Sequence, residues 1–325
     1  MNVPNCQKVV SYCQDVRRDS GALWSRRTRT AIALPGPREP LQEKGLRFMS
    51  TQRVAITGGA RGIGHATAAA CLRAGMSVVI GDIDEATVAA AAAELGERAV
   101  GLPLDVRDEQ GFEAFLVEAE ERIGPLDVLV NNAGVAPIGP FVDEDPHDTR
   151  RTVDVNLGGV LTGTRLALSR FVPRGHGHVV NLASSAGQIA PAAGATYAAT
   201  KHAVVGFTRA IRAETRDSGV RTTIVMPGLI RTDMISGFSK ARGTRIVGPE
   251  AVADAIVDAI RTGREEVFVP RELGPVARLI AGTPPAISDR IKRALKADTI
   301  MAHADSGARA AYRRRMDAEV TEIQT

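Results

Sequence analysis

From Arg53 onward, short β-branched runs alternate with longer alanine-rich stretches of helical pattern, and this order is kept to about residue 270. "RVAIT" is followed by the helix "GHATAAACLRAG" and the strand "SVVIGD". Next come "EATVAAAAAEL" (helix), "AVGLPLDV" (strand), "EQGFEAFLVEAEERIG" (helix) and "LDVLVNNAG" (strand). A long helix, "TRRTVDVNLGGVLTGTRLALSRFV", leads to the strand "GHVVNLAS", and the helix "TYAATKHAVVGFTRAIRAETRDSG" to the strand "VRTTIVMPG". "PEAVADAIVDAI" and "EEVFVP" supply a last helix and strand. The strands are apolar throughout, as expected when helices cover both faces of a parallel sheet. Parallel neighbours need crossover connections, which are nearly always right-handed. The expected fold is therefore α/β, a doubly wound parallel sheet of about seven strands. No internal repeat and no second domain boundary is visible between residues 50 and 270.

Aromatic residues are only 4% of the chain, so alanine, valine, leucine and isoleucine must fill most of the core. The net charge of +4 belongs to the ends. Residues 1–48 carry nine Lys/Arg against four Asp/Glu, and residues 270–325 carry ten against seven. The middle holds 22 basic and 26 acidic groups, which excludes a basic groove for nucleic acid. No stretch approaches the ~20 apolar residues of a membrane span. Cys6, Cys13 and Cys71 form no disulfide framework, and a reduced, cytoplasmic setting is expected. Residues 1–48 lack periodicity. They are expected to be a disordered extension, or codons upstream of a true start at Met49; an Arg-rich transit peptide fits less well because acids are present.

Three features carry chemistry. "TGGARGIG" sets Gly58, Gly62 and Gly64 between the first strand and the first helix, where glycine lets the backbone approach a pyrophosphate held at a helix N-terminus. Asp82 ends the second strand, eighteen residues past Gly64, where an acid meets ribose hydroxyls; Asp84 is placed to cap the next helix. Tyr197 and Lys201 lie one helical turn apart on the same face. A phenol of pKa about 10 is a poor base at neutral pH, and a neighbouring ammonium favours its ionised form. Ser184 stands thirteen residues before Tyr197 at the end of a strand, and Asn156 is an unfavourable residue in a helix interior. His176 and His178 have no third partner nearby in sequence, and no metal is expected.

In this order, "TGGARGIG", "NNAG" at 131–134, Asn156, Ser184, Tyr197–Lys201 and "PG" at 227–228 resemble the short-chain dehydrogenases/reductases. The resemblance covers roughly residues 50–235. It implies a seven-stranded parallel sheet, a bound nicotinamide dinucleotide, and hydride transfer between an alcohol and a carbonyl. It makes Tyr197 the acid/base, Lys201 its helper and a ligand of the nicotinamide ribose, and Ser184 the donor to the substrate oxygen. Asn156 would hold a water linking Lys201 to solvent. It further places Asp105 and Val106 beside the adenine, and Asn131, Ala133 and Gly134 against the adenosine ribose and dinucleotide. Pro227, Gly228, Ile230 and Thr232 would surround the carboxamide. Arg61 and Ile63 would line the glycine turn, with Arg61 where basic residues meet the 2′-phosphate of NADP.

Asp82 favours NAD, with NADP possible through Arg61. Small residues around the pocket suggest a lipophilic alcohol or carbonyl substrate. Rival functions are a non-catalytic dinucleotide-binding redox sensor or scaffold, which would ordinarily lack the tyrosine or lysine, and sugar-nucleotide epimerisation. A homodimer or homotetramer is implied by the family. Residues 271–325 depart from it: Val276, Leu279, Ile280, Ile287, Ile291 and Leu295 suggest two short amphipathic helices around Pro284–Pro285. That extension could cover the substrate pocket, contact a membrane surface, or simply pack.

Overall fold

The computed structural model describes residues 52–238, 245–294, 301–302 and 304–321. The chain runs β1 (Arg53–Thr57), α1 (Gly62–Arg73), β2 (Ser77–Asp82), α2 (Glu85–Leu95), β3 (Ala99–Pro103), α3 (Glu109–Ile123) and β4 (Val128–Asn131). After a crossover come α4 (Pro146–Val153), α5 (Gly159–Arg174), β5 (Gly177–Leu182), α6 (Ala195–Glu214), β6 (Val220–Pro227), α7 (Pro249–Thr262) and β7 (Glu266–Val269). All seven strands are parallel, in the order β3-β2-β1-β4-β5-β6-β7. The winding reverses between β1 and β4, and a crevice opens there at the carboxyl ends of the strands, as in other doubly wound sheets.

Helices cover both faces of the sheet. On one, Ala68 and Leu72 of α1, Val88 of α2 and Ile256 and Ile260 of α7 pack on Val54, Ile56 and Ile80. On the other, Phe112 and Leu116 of α3 and Phe171 of α5 pack on Ala55, Val79 and Leu129, while Val204 and Val205 of α6 pack near Ile224 and Met226. Aspartates start three of the helices: Asp84 accepts from the Thr87 N–H (2.8 Å), Asp108 from that of Gln110 (3.0 Å), and Asp145 from that of His147 (2.8 Å).

Two differences from expectation matter for the site. The long helix over 149–172 begins earlier, at Pro146, and is split by a π turn, Asp154–Gly158, whose buried member is Asn156. The C-terminal extension forms the two expected short helices, α8 (Leu273–Gly282) and α9 (Pro285–Ala294), and then a third, α10 (Ser306–Thr321). Leu295 and residues 1–48 lie outside the described residues. Among the described residues, no helix is long and apolar enough to cross a membrane.

His178 of β5 makes the fold acid-sensitive. It is buried, its Nε2 lies 2.8 Å from Thr223 Oγ1 on β6, and burial pushes its pKa from 6.5 down to about 3. Below pH 6.5 the unfolded chain takes up a proton that the native ring refuses, so stability falls as the pH drops toward 3. At ~1.4 kcal/mol per pH unit the loss reaches about 3 kcal/mol by pH ~4. Urea midpoints measured at neutral and acid pH should therefore converge for the wild type and His178→Asn as the pH falls. Parallel profiles for the two proteins would remove His178 as the cause.

Candidate active site

The glycine turn closes because Gly58, Gly62 and Gly64 carry no side chains to accommodate. Gly58 (φ +64°) and Gly62 (φ +53°) are left-handed, and a Cβ on Gly58 would stand 2.8 Å from the Ala133 Cα. A Cβ on Gly64 would stand 2.1 Å from the Gly58 carbonyl oxygen, so this glycine lets the turn fold on itself. Asn132 ties the turn to the end of β4: its Nδ2 donates to the Thr57 and Gly58 carbonyls, both at 2.9 Å. Thr57 Oγ1 in return accepts from the N–H groups of Asn132 and Ala133, each at 3.0 Å. The result is a rigid cradle at the N-terminus of α1, of the kind that suits a phosphate group.

Asp82 is fixed beside this cradle. Its carboxylate accepts from the Ala60 N–H (3.0 Å) and the Ile83 N–H (2.9 Å), and burial raises its pKa against these bonds. Arg61 reaches past it to Asp84 (2.9 Å) and Thr87 Oγ1 (3.1 Å). Asp84 thus caps α2 and also holds the guanidinium. Asp105, further along the crevice, forms a forked ion pair with Arg107 (2.7 Å at the closest contact).

At the other end of the crevice, α6 carries Tyr197 and Lys201, both buried. Ser184 follows β5 and starts a single turn, its Oγ accepting from the Ala186 N–H (3.1 Å) and donating to the Pro227 carbonyl (3.4 Å). The same hydroxyl hydrogen-bonds the Tyr197 phenol. Lys201 Nζ donates to the Leu182 carbonyl (3.0 Å) and sits 5.8 Å from the centre of the Tyr197 ring. Asn156 is fully buried, and its amide is paired with both backbone groups of Val135, each at 2.8 Å. The π turn, Asp154–Gly158, is where Asn156 sits, and its side-chain amide makes these bonds whatever its own backbone does in the helix.

The electrostatics differ from the sequence expectation. Burial pushes the Tyr197 phenol up to about 12, opposed by the Ser184 hydrogen bond and reinforced by Tyr312. Burial also brings Lys201 down to about 8. The same burial thus opposes ionisation of the phenol and weakens the ammonium beside it, whose charge is largely present at pH 7 and fades as the pH passes about 8.

A cavity of about 290 Å³ joins these parts. Its lining includes Gly58, Arg61, Gly62, Ile63, Asp82, Asp105, Val106, Ala133, Gly134, Ser184, Tyr197, Lys201, Pro227, Gly228, Ile230 and Thr232. Gly64 lies beneath the turn and Asn156 behind Val135. Asn131 is not brought to the cavity. Its amide donates to Asn181 Oδ1 (2.8 Å) and Thr164 Oγ1 (3.3 Å), in a buried polar network between β4, β5 and α5. Successive strand residues face opposite ways, so the asparagine of "NNAG" that meets the crevice is Asn132.

A smaller cavity of about 120 Å³ adjoins the first through Ser184, Tyr197, Gly228, Met234 and Ile235. Ile189, Leu229, Phe238, Leu273, Ala277 and Met301 make it apolar, and among the described residues Arg245 is the one charged residue lining it. Tyr312 and Met316 of α10 line the larger cavity. Sequence reasoning missed them, although Tyr312 and Met316 are large apolar residues spaced i, i+4 in the arginine-rich stretch "ARAAYRRRM". Among the described residues no group of three or more His, Cys, Asp or Glu is arranged to hold a metal ion.

The family model for short chain dehydrogenases matches residues 52–243. Over 231 residues the chain is 38% identical to the "Probable oxidoreductase EphD" of Mycobacterium tuberculosis, covering 64% of this chain and 39% of that protein. It therefore spans well under half of that relative's length. It is 37% identical over 218 residues to the "Cis-4-hydroxycyclohexanecarboxylate dehydrogenase" of Sinomonas cyclohexanicum, covering 63% and 88% of the two chains. Among solved structures, a short chain dehydrogenase/reductase from Burkholderia phymatum in complex with NAD superposes with a TM-score of 0.64 at 27% identity, covering 70% of this chain and 92% of that one.

Proposed function

Because this chain belongs to the short-chain dehydrogenase family, we propose that it is a nicotinamide-dependent oxidoreductase that interconverts an alcohol and a carbonyl compound. The observation that carries the proposal is the buried Ser184–Tyr197–Lys201 cluster at one end of a crevice whose other end is a glycine cradle. The fit to a dinucleotide rests on that cradle, where added Cβ atoms would collide, and on a fixed carboxylate beside it. Gly58, Gly62 and Ile63 would hold the pyrophosphate, Asp82 the adenosine ribose, Asp105 and Val106 the adenine, and Lys201 the nicotinamide ribose. Bound there, the dinucleotide supplies a two-electron hydride acceptor or donor.

The chain's own residues then handle the proton. Ser184 and Tyr197 hold the substrate oxygen, and the Tyr197 Oη takes the carbinol proton in oxidation or returns it in reduction. A phenol at about 12 needs added positive charge to do this near neutrality. Lys201, still largely protonated at pH 7, provides one charge, and an oxidised nicotinamide ring bound in the crevice would add another. Asn156 and Lys201 both approach Gly134: a Cβ there would stand 3.2 Å from Asn156 Oδ1 and 3.6 Å from Lys201 Nζ. A water held by the second lone pair of Asn156 Oδ1 would pass protons between Lys201 and solvent.

The apolar second cavity takes the body of the substrate, and Arg245 at its exposed rim favours one that carries an acidic tail. A secondary alcohol on a small apolar ring or chain fits this description, and the Sinomonas relative is named for such a substrate. The test is a turnover screen of alcohols and ketones, each as carboxylate and as methyl ester, with NAD and NADP in parallel. Absence of NAD(P)H change across the whole panel would leave the dinucleotide-binding sensor or scaffold as the better account.

A further inference from the structure

The crevice has two rims, one formed by the chain after β4 and one by the chain after β6. Arg309 of α10 reaches both. It donates to the Ala136 carbonyl on the first rim (2.5 Å) and to the Met234 carbonyl on the second (2.8 Å). Its guanidinium lies against the rings of Phe238 and Tyr312, 5.1 and 4.5 Å from their centres. Tyr312 adds a second tie to the first rim, its hydroxyl accepting from the Ala136 N–H (3.1 Å), and Asp305 N donates to the Gly237 carbonyl on the second rim (2.8 Å). Beyond Tyr312, Arg313 pairs with the buried Asp148, and the buried Arg151 donates to the Met316 carbonyl.

These contacts set α10 across the residues that a dinucleotide would lie between, Ala133 and Gly134 on one side and Gly228 to Thr232 on the other. We propose that Arg309 staples the two rims of the crevice together, so that a bound dinucleotide is retained beneath α10 and exchanges only when this side chain lets go. The inference rests on the reading of the crevice as a dinucleotide site. It makes Arg309 and Tyr312 positioning residues. Their attachment is polar, to backbone carbonyl and N–H groups, and a charge-assisted bond of this kind is worth roughly a factor of ten or more when broken.

The experiment follows NADH fluorescence in the full chain, measuring association, and dissociation by displacement with excess NAD. Arg309→Gln should release NADH about tenfold faster and also bind it faster, because a staple opposes passage in both directions. Arg309→Lys should fall between it and the wild type, and Tyr312→Phe, which loses only the hydroxyl, should give a smaller rise in both rates. A merely structural role would instead lower the melting temperature and slow association. Unchanged release in folded Arg309→Gln, or faster release with slower association, overturns the proposal. If Arg309→Gln does not fold, unchanged rates in Tyr312→Phe overturn it. A wild type that binds no NADH at all would strike the dinucleotide reading itself, a result distinguishable from the others.

Discussion

Tyr197→Phe should lower kcat/KM by about 10³-fold or more, whichever direction is assayed, while NADH binding changes little. The substitution removes one oxygen from a buried ring and leaves the ring's packing against Ala136, Ala186 and Met301 in place. What is lost is a proton-transferring group that lies beside Ser184 and lines both cavities. Oxidation should accelerate with rising pH, since the phenol must be ionised to accept the carbinol proton and starts from about 12 in the protein alone. Reduction needs the protonated phenol and should be favoured toward neutral pH. Lys201→Ala should damage both turnover and cofactor affinity, because Lys201 lines the crevice as well as charging it. Stopped assays of the purified variants, with NADH binding followed by fluorescence, separate these effects. More than about a tenth of wild-type turnover in Tyr197→Phe would place the proton transfer on another group.

The alternation of strands and helices was legible because the strands are short, largely apolar runs and the helices between them are longer and rich in alanine. The glycine turn, Asp82, Ser184 and the Tyr197–Lys201 pair were legible from spacing, and the structure gathers them along one cavity. The choice between Asn131 and Asn132 was not, because it depends on which strand face carries the second asparagine, and a run ending in "VNNAG" fits either register. The π turn at Asn156 was visible only as a misplaced asparagine. Its partner is tertiary: the Val135 backbone offers the side-chain amide a donor and an acceptor at 2.8 Å. α10 was hidden because a run of arginines interrupts its few apolar residues, and its attachment includes arginine bonds to backbone carbonyls, from Arg309 and to Met316. No hydrophobic periodicity records such contacts. The pKa values were likewise beyond spacing, because two side chains on one helix face say nothing about how deeply both are buried.

NAD should be preferred over NADP by about 100-fold or more in kcat/KM, and Asp82→Ala should erase most of that preference. Asp82 is held in place by two backbone N–H groups, so its carboxylate cannot turn away from an incoming group. Burial already strains its charge by raising its pKa, and ribose hydroxyls donating to it would relieve that strain. A 2′-phosphate would do the opposite, adding like charge at close range. At ~4 Å and an effective dielectric near 20, each such pair costs about 4 kcal/mol before screening. Arg61 is the side chain that could offset this, but its guanidinium is bonded to Asp84 and Thr87. Recruiting it for a phosphate would leave Asp84 to its capping role alone. Asp84→Ala should therefore improve NADP use by releasing Arg61, at a cost of about 1 kcal/mol in stability from the lost helix cap. Initial rates with both cofactors in the wild type, Asp82→Ala and Asp84→Ala decide between the two residues. A wild-type preference for NADP would mean that Arg61 leaves Asp84 for the phosphate and outweighs the carboxylate beside it.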